Sequence, residues 1–205
     1  MIFEEIEVTL ELIEPQLGTV GKDKAPFTAH VLNKAVEQDP SLAAKVAEEV
    51  LTIEDLEKPG WTGFHCDKKG IHIMDYMIRG FMKAAGNVLK NQLEIKALKS
   101  KITNYVFPVE RRIYFTRKGE YIAKPDGVLE RPLLGETAQG KRVCLAKSDY
   151  IEAGAQLSFT LKVLKGPVSI KTIEEIFEYG QLCGLGQWRN GSYGRVKVVT
   201  FKKKK

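Results

Sequence analysis

The chain opens on a period of two. In "IEVTLELI", Ile6 to Ile13, apolar and polar residues alternate with β-branched side chains among them, and the run stops at Pro15 and Gly18, which predicts an opening strand. The period then changes. After a loop carrying Gly21, Asp23 and Pro26 come two helical patterns, 27–37 and 40–51, the second with the start signal "DPSLAAK". "EKPGWTGFHCDKKGIHI" is dense in glycine and turn formers and predicts an irregular connection with short strands. From Asp75, read as an N-cap, Met77, Ile78, Phe81, Met82, Ala85, Val88 and Leu89 recur at the i, i+3, i+4, i+7 spacing of a long helix with one buried face. Arg79, Lys83 and Lys90 lie off that stripe. A second amphipathic piece covers Gln92 to Lys101.

Period two then returns. "RRIYF" and "GEYIA", separated by the turn "TRKG", predict a basic β-hairpin, and "KRVCLAKSDYI" and "AQLSFTLKVL" are further strands joined by the turn "EAG". "SIKTIEEIFEYGQL" puts Ile173, Ile176, Phe177 and Leu182 on one face of a last helix, and "GRVKVVTF" alternates as a closing strand. The order strand, helix, strands, helix, strand satisfies an α+β class. Its arrangement is a ferredoxin-like (modified RRM) palm, an antiparallel sheet with two helices on one face and the other face open. The reading is of one domain over residues 1–205, with an acidic helical insertion at about 22–60 and a basic hairpin thumb at about 104–140.

Charge adds a partner class to this architecture. Residues 1–60 hold 5 Lys/Arg against 13 Asp/Glu, a balance of −8, whereas residues 61–205 hold 27 against 13, a balance of +14. A strongly basic body is the electrostatic footprint of a polyanion binder, since each neutralised phosphate releases counterions. No run approaches the roughly 20 apolar residues of a membrane span, and the amino-terminal stretch is acidic and alternating, which predicts a cytoplasmic protein without a membrane partner. Cys66, Cys144 and Cys183 are odd in number and far apart, so the sequence supports neither a disulfide framework nor a zinc site, and no metal or cofactor is implied.

Two nucleotide-binding signatures fail on context. "GETAQGKR", Gly135 to Arg142, copies G-x-x-x-x-G-K but puts Arg142 where a Mg²⁺-binding Ser or Thr is needed and is followed by a strand pattern. "GLGQWR" has Gly184 and Gly186 but Arg189 at the third glycine position, and it follows a helix rather than opening one. Gly184 and Gly186 are read instead as ending the last helix, with Gly191 and Gly194 shaping a turn into the closing strand. That leaves Trp188, Arg189, Tyr193 and Arg195, too many aromatics and guanidiniums for a mere connector. Small residues that admit a backbone, rings that stack bases and arginines that fork onto phosphate suit single-stranded nucleic acid.

The ending "IEEIFEYGQLCGLGQWRNGSYGRVKV" resembles the C-terminal glycine-rich loop of the RAMP superfamily, the repeat-associated proteins of CRISPR systems, in which a helix, G-x-G and G-[FY]-G-[RK] precede a final strand. "VTLELIEPQLGTVG" resembles the first strand and glycine turn of that superfamily. "GIHIMDYMIRGFMKAA" is similar to its first-helix motif, I-P-G-S-S-[IL]-[KR]-G, keeping Ile78, Arg79 and Gly80 and departing from P-G-S-S at Met74, Asp75, Tyr76 and Met77. The three segments cover roughly a third of the chain.

The resemblance implies a palm that binds single-stranded guide RNA, most like the non-catalytic backbone subunits of effector complexes. Its partners would be RNA, copies of itself and other subunits. The candidate RNA contacts are Gly184, Gly186, Trp188, Arg189, Tyr193, Gly194 and Arg195, with Arg79 and Lys83 on the long helix and Arg111, Arg112 and Arg117 on the basic hairpin. Two alternatives stand beside it: a metal-independent endoribonuclease processing precursor RNA, for which His30, His65 and His72 are available, and a self-assembling structural protein of a mobile element. Asp23 occupies the region where some backbone subunits of the superfamily hold a target-cleaving Asp, although an Asp between Gly21 and Pro26 also suits a turn, and no catalytic residue is assigned.

Overall fold

The computed structural model describes residues 2–22, 60–137 and 140–204. The two helical patterns at 27–37 and 40–51, with Asp23 and His30, lie outside the described residues.

The alternating first segment is strand β1 (Phe3–Leu12), which buries Ile6, Val8, Leu10 and Leu12 and turns its glutamates the other way. Short strands follow: β2 (Gln16–Leu17), β3 (Val20–Gly21), β4 (Trp61–Gly63), β5 (His65–Cys66) and β6 (Ile71–Met74). Helix α1 (Asp75–Leu89) continues directly from β6, and α2 (Leu98–Tyr105) leads into β7 (Val106–Pro108) and β8 (Arg112–Arg117). Then come β9 (Glu120–Tyr121), the long arms β10 (Gly127–Thr137) and β11 (Gly140–Ile151), β12 (Gln156–Leu164), helix α3 (Ile170–Glu178) and β13 (Val196–Lys203).

The main sheet runs β13-β1-β12-β8, then extends through β6 to β5. β1 pairs antiparallel with both β12 and β13, and β12 antiparallel with β7 and β8. With β7 and β8 as one interrupted strand, the order is fourth, first, third, second, with a helix after the first and after the third. This is the ferredoxin-like arrangement the periodicity predicts. Both helices lie on one face: Ile78, Phe81, Met82 and Ala85 of α1 and Ile173, Ile176 and Phe177 of α3 bury against the inward residues of β1 and β12. The Phe177 ring sits 6.1 Å from that of Phe81 and 5.9 Å from that of Phe159 on β12, so one aromatic joins both helices to the sheet.

A second sheet, β10-β11-β4-β3, is built on the long hairpin, with β2 also on β11. Gly135 pairs with Arg142 and Thr137 with Gly140 across β10 and β11, so the described part of the P-loop look-alike is paired strand. The "TRKG" hairpin is β8–β9, short, with Lys118 and Gly119 both at positive φ, as a two-residue hairpin turn requires.

Four sequence expectations shift. Asp75 is the first helical residue rather than the cap: its amide donates to the Arg111 carbonyl, and extended Met74 stands at the N-cap without a side-chain bond. The piece at 92–101 is not one helix, because Glu94 and Ala97 adopt positive φ of 53° and 56° and the chain turns before α2 begins at Leu98. Val88 is exposed in the last turn of α1, while its neighbour Leu89 packs against the core. Leu182 is 69% exposed, since α3 ends at Glu178 and the tight turn at Tyr179–Gln181 breaks the 3.6-residue period that would have brought it inward. No helix among the described residues is long and apolar enough to cross a membrane.

Because Phe177 is fully buried where α1, α3 and β12 meet, Phe177→Ala should cost about 3–5 kcal/mol, read as a lower urea midpoint at unchanged slope. A loss below about 1 kcal/mol would mean that α3 is not seated there.

Candidate nucleic-acid interface

The glycine-rich loop is organised by its own backbone. Gly184 and Gly194 lie where two stretches of main chain cross: Leu185 N–H donates to the Gly194 carbonyl at 2.7 Å, and Gly194 N–H to the Pro15 carbonyl at 2.8 Å. A Cβ on Gly184 would overlap the Tyr193 carbonyl oxygen, and one on Gly194, at φ +71°, would overlap that of Leu185. The Arg195 carbonyl accepts from Ile13 N–H at 2.9 Å, which ties the loop's exit to the end of β1. Neither Gly184 nor Gly186 ends the last helix, which closes at Glu178; Gly186, at φ +82°, instead turns the loop tip outward.

The tip is strained and stacked. Trp188 and Ser192 hold left-handed conformations, φ 52° and 70°, uncommon for residues with side chains. The Trp188 indole stacks on Tyr193 with centroids 5.1 Å apart and planes 14° from parallel, and the Arg131 guanidinium of β10 lies 3.8 Å from its centre. Arg131 is 8% exposed, and burial holds its pKa below the ordinary arginine value. The Gln187 amide satisfies three neighbours in one orientation, donating to Thr62 Oγ1 and the Gly18 carbonyl and accepting from Arg131 Nη2 at 3.1 Å. The Arg131 Nε and Nη1, the Gln16 side-chain amide and the Arg195 Nε are the buried side-chain polar atoms without a hydrogen-bond partner among the described residues. Gln16 lies beside Gly186, so all three residues border this loop.

Beside the tip is a cleft of about 360 Å³, bordered by Thr19, Tyr76, Met77, Gly80, Gly186 and Arg189. It joins the turn after β1, the start of α1 and the glycine-rich loop. Arg189, exposed, and Tyr76, 57% exposed, both border it. Two of the four departures from P-G-S-S, Tyr76 and Met77, therefore fall on the cleft wall.

The other candidate contacts are dispersed. Arg79 reaches away from the loop, donating to the Thr103 carbonyl at 3.3 Å and lying over the Phe107 ring. Lys83 is half-buried further along α1. Arg117 makes a two-pronged pair with Asp126 at 2.9 and 2.8 Å, Arg112 pairs with Asp67 at 2.9 Å, and exposed Arg111 lends its carbonyl to the start of α1. Periodicity gave no signal for Arg131, one charged residue in an alternating strand, nor for Gln187; only the three-dimensional meeting of hairpin and loop singles them out.

Of the histidines, His65 and His72 come together on β5 and β6 with rings 5.7 Å apart. Asp67, in the turn between them, accepts from Lys69 N–H at 2.9 Å, Gly70 N–H at 3.3 Å and the Tyr114 hydroxyl at 2.8 Å. Chiefly the Lys69 amide, then the Tyr114 hydroxyl, hold its carboxyl down at about 2. Burial, reinforced by the charges of His72 and Arg112, keeps His65 below the ordinary histidine value.

Two predictions follow from this geometry. Gly194→Ala, with both positive φ and a backbone overlap to relieve, should destabilise by well over about 1 kcal/mol in urea unfolding, and a smaller loss would mean that the crossing is looser than described. Asp67 is a depressed carboxylate, so its stabilisation is full above the unfolded value near 4 and fades as pH falls toward about 2. The gap in Tm between wild type and Asp67→Asn should hold steady from pH 7 to about 4 and narrow below; a gap independent of pH would contradict the assignment.

No family model matches the sequence, and no curated protein does. Among solved structures, the chain is similar to a chain in the cryo-EM structure of the Type III-B Cmr-beta bound to cognate target RNA, at 12% identity and a TM-score of 0.56. The match covers 99% of this chain and 61% of that one, so this chain spans less than two thirds of its length. At such identity the likeness is one of fold.

Proposed function

We propose that the chain is a single-stranded RNA-binding subunit of a CRISPR-type or phage-borne ribonucleoprotein, acting in the cytoplasm without catalysis of its own and assembling with copies of itself or other subunits. One observation carries this reading. The three segments that resemble the RAMP superfamily, far apart in sequence, border a single cleft through Thr19, through Tyr76, Met77 and Gly80, and through Gly186 and Arg189. An exposed guanidinium and an exposed phenol on its border are the pair of groups that single-stranded RNA uses, one for phosphate and one for a base. The orphaned polar atoms around the loop and the strain at Trp188 fit a site shaped for a ligand rather than for stability. The fold is shared with a chain of an assembly solved with target RNA bound.

In this reading Trp188 works chiefly inside the protein, bracing the loop against Arg131 and Tyr193, and Arg189 is the phosphate contact. Arg189→Ala should weaken binding of a labelled oligouridylate in fluorescence anisotropy and make the slope of log K against log salt shallower by about 0.7, the loss of one phosphate contact on a single strand. Tyr76→Ala should cost about 1–3 kcal/mol of binding at unchanged salt slope, as stacking does. Wild-type affinity in both variants would remove the cleft from the RNA path.

A further inference from the structure

The edge of the main sheet beyond β8 carries a row of rings that the cleft does not include. Register places His65 opposite His72 and His72 opposite Tyr114, so β5, β6 and β8 align the three side chains on the face away from Ile71, Ile73, Ile113 and Phe115. The His65 and His72 rings stack 5.7 Å apart at 19°, Tyr114 follows at 5.1 Å, and Tyr121 of β9 meets Tyr114 edge-on at 5.6 Å. The Lys69 ammonium lies 4.5 Å from the centres of both tyrosine rings. Arg112, more than half exposed, stands over the turn on Asp67. At the other end of the row, His65 Nε2 is 3.5 Å from the Tyr76 hydroxyl, and Tyr76 is a wall of the cleft.

A sheet edge has no structural need for such a row. Edge strands are ordinarily protected by charge or shortness, and β5 and β9, two residues each, are already short. Half-buried His65 and exposed Tyr121 beside ammonium and guanidinium groups are instead the composition of a stacking platform for a single strand. Asp67 does not neutralise the patch so much as build it: its two oxygens fix the 67–70 turn, the Tyr114 hydroxyl and the Arg112 guanidinium in place. His72, 4% exposed and bonded at 3.3 Å through Nδ1 to the Gly70 carbonyl, positions the rings on either side of it.

We propose that this sheet edge is a second RNA-contact site, continuous with the cleft through Tyr76, in which His65 and Tyr121 meet bases and Lys69 and Arg112 meet phosphates. It takes the roughly two or three nucleotides that follow those in the cleft. Asp67 and His72 are positioning residues. The proposal rests on the RNA reading above, and it extends the path by about the width of three strands.

The test uses the full chain and two fluorescein-labelled oligouridylates, a 4-mer that spans the cleft alone and a 20-mer that reaches both sites. Variants are Tyr121→Leu and Lys69→Gln, which keep bulk and solubility, with Arg189→Ala as the cleft control and Tm measured for each. The expected result is that Tyr121→Leu weakens the 20-mer about 5-fold or more and Lys69→Gln makes its salt slope shallower by about 0.7, both leaving the 4-mer unchanged. Arg189→Ala should weaken both lengths. Wild-type binding of the 20-mer by Tyr121→Leu and Lys69→Gln, with Arg189→Ala still defective, overturns the second site and leaves the cleft standing. Equal weakening of both lengths by the edge variants also overturns it, since the edge would then act only through the cleft. Failure of the wild type to bind either oligomer overturns the cleft reading and this one together.

Discussion

The architecture around the candidate site depends on one close approach, the crossing of main chain at Gly184 and Gly194. Two amide-carbonyl bonds at that point, Leu185 to Gly194 and Gly194 to Pro15, leave no room for a Cβ on either glycine. Leu185, 1% exposed, is driven into the core between them, so hydrophobic burial and backbone bonding pull in the same direction. The loop tip from Gly186 to Ser192 is then held as a short projection whose direction is set by the crossing, and β13 is delivered to the edge of β1. A Cβ at either position would open the loop and also loosen the seam between first and last strands, through the Arg195 carbonyl that serves Ile13.

The second dependence is electrostatic. Arg131 brings a cation into the junction between the two sheets without a carboxylate within ion-pairing distance among the described residues, an arrangement that proteins rarely tolerate. Its compensation is the face of Trp188 and the Gln187 carbonyl oxygen, both supplied by the glycine-rich loop. The long hairpin is therefore not an independent arm. Its base is bonded to the loop through Arg131, to β4 through the Thr62–Ser148 bond of 2.9 Å, and to β3's end through the ion pair of Lys22 with buried Asp149. Any ligand that moved Trp188 would uncover a buried guanidinium, so the loop and the hairpin base respond as one body.

Much of the palm was legible in the sequence because its strands are buried on one face only. Ile6, Val8, Leu10 and Leu12 alternate with Glu7, Thr9 and Glu11, and no other structure satisfies that pattern so simply. The helices declared themselves by their stripes until their ends, where caps and tight turns, not periodicity, decide the path; hence Leu182 and the 92–101 piece. The site was legible in part. Glycine spacing marked the loop, but the reason for Gly184 lay ten residues away in Gly194, and nothing local to Arg131 or Gln187 announces that they meet Trp188. The ring row at the sheet edge was hidden differently, since it arises from the register of three short strands, two of which were readable only as a glycine-rich connection.

In the proposed reading, the open face of the palm is where RNA does not run. An RRM-type platform would carry aromatics at the middle of its central strands, but here β1 offers Glu5, Glu7, Thr9 and Glu11, with Phe3 only at its start beside Lys162, and β12 offers Gln156, Ser158 and Lys162. The carboxylates are engaged: Glu11 with Lys197 at 2.7 Å and with Gln156, Glu5 with Lys162 at 3.5 Å. Removing those two lysines from their glutamates to serve phosphates would leave two unpaired carboxylates facing a polyanion, a cost of the wrong sign at each step. In the proposed reading the strand is therefore displaced to the rims of the sheet, to the loop between α3 and β13, where Arg189 is exposed, and to the edge beyond β8, where rings stand beside Lys69 and the half-exposed guanidinium of Asp67-paired Arg112.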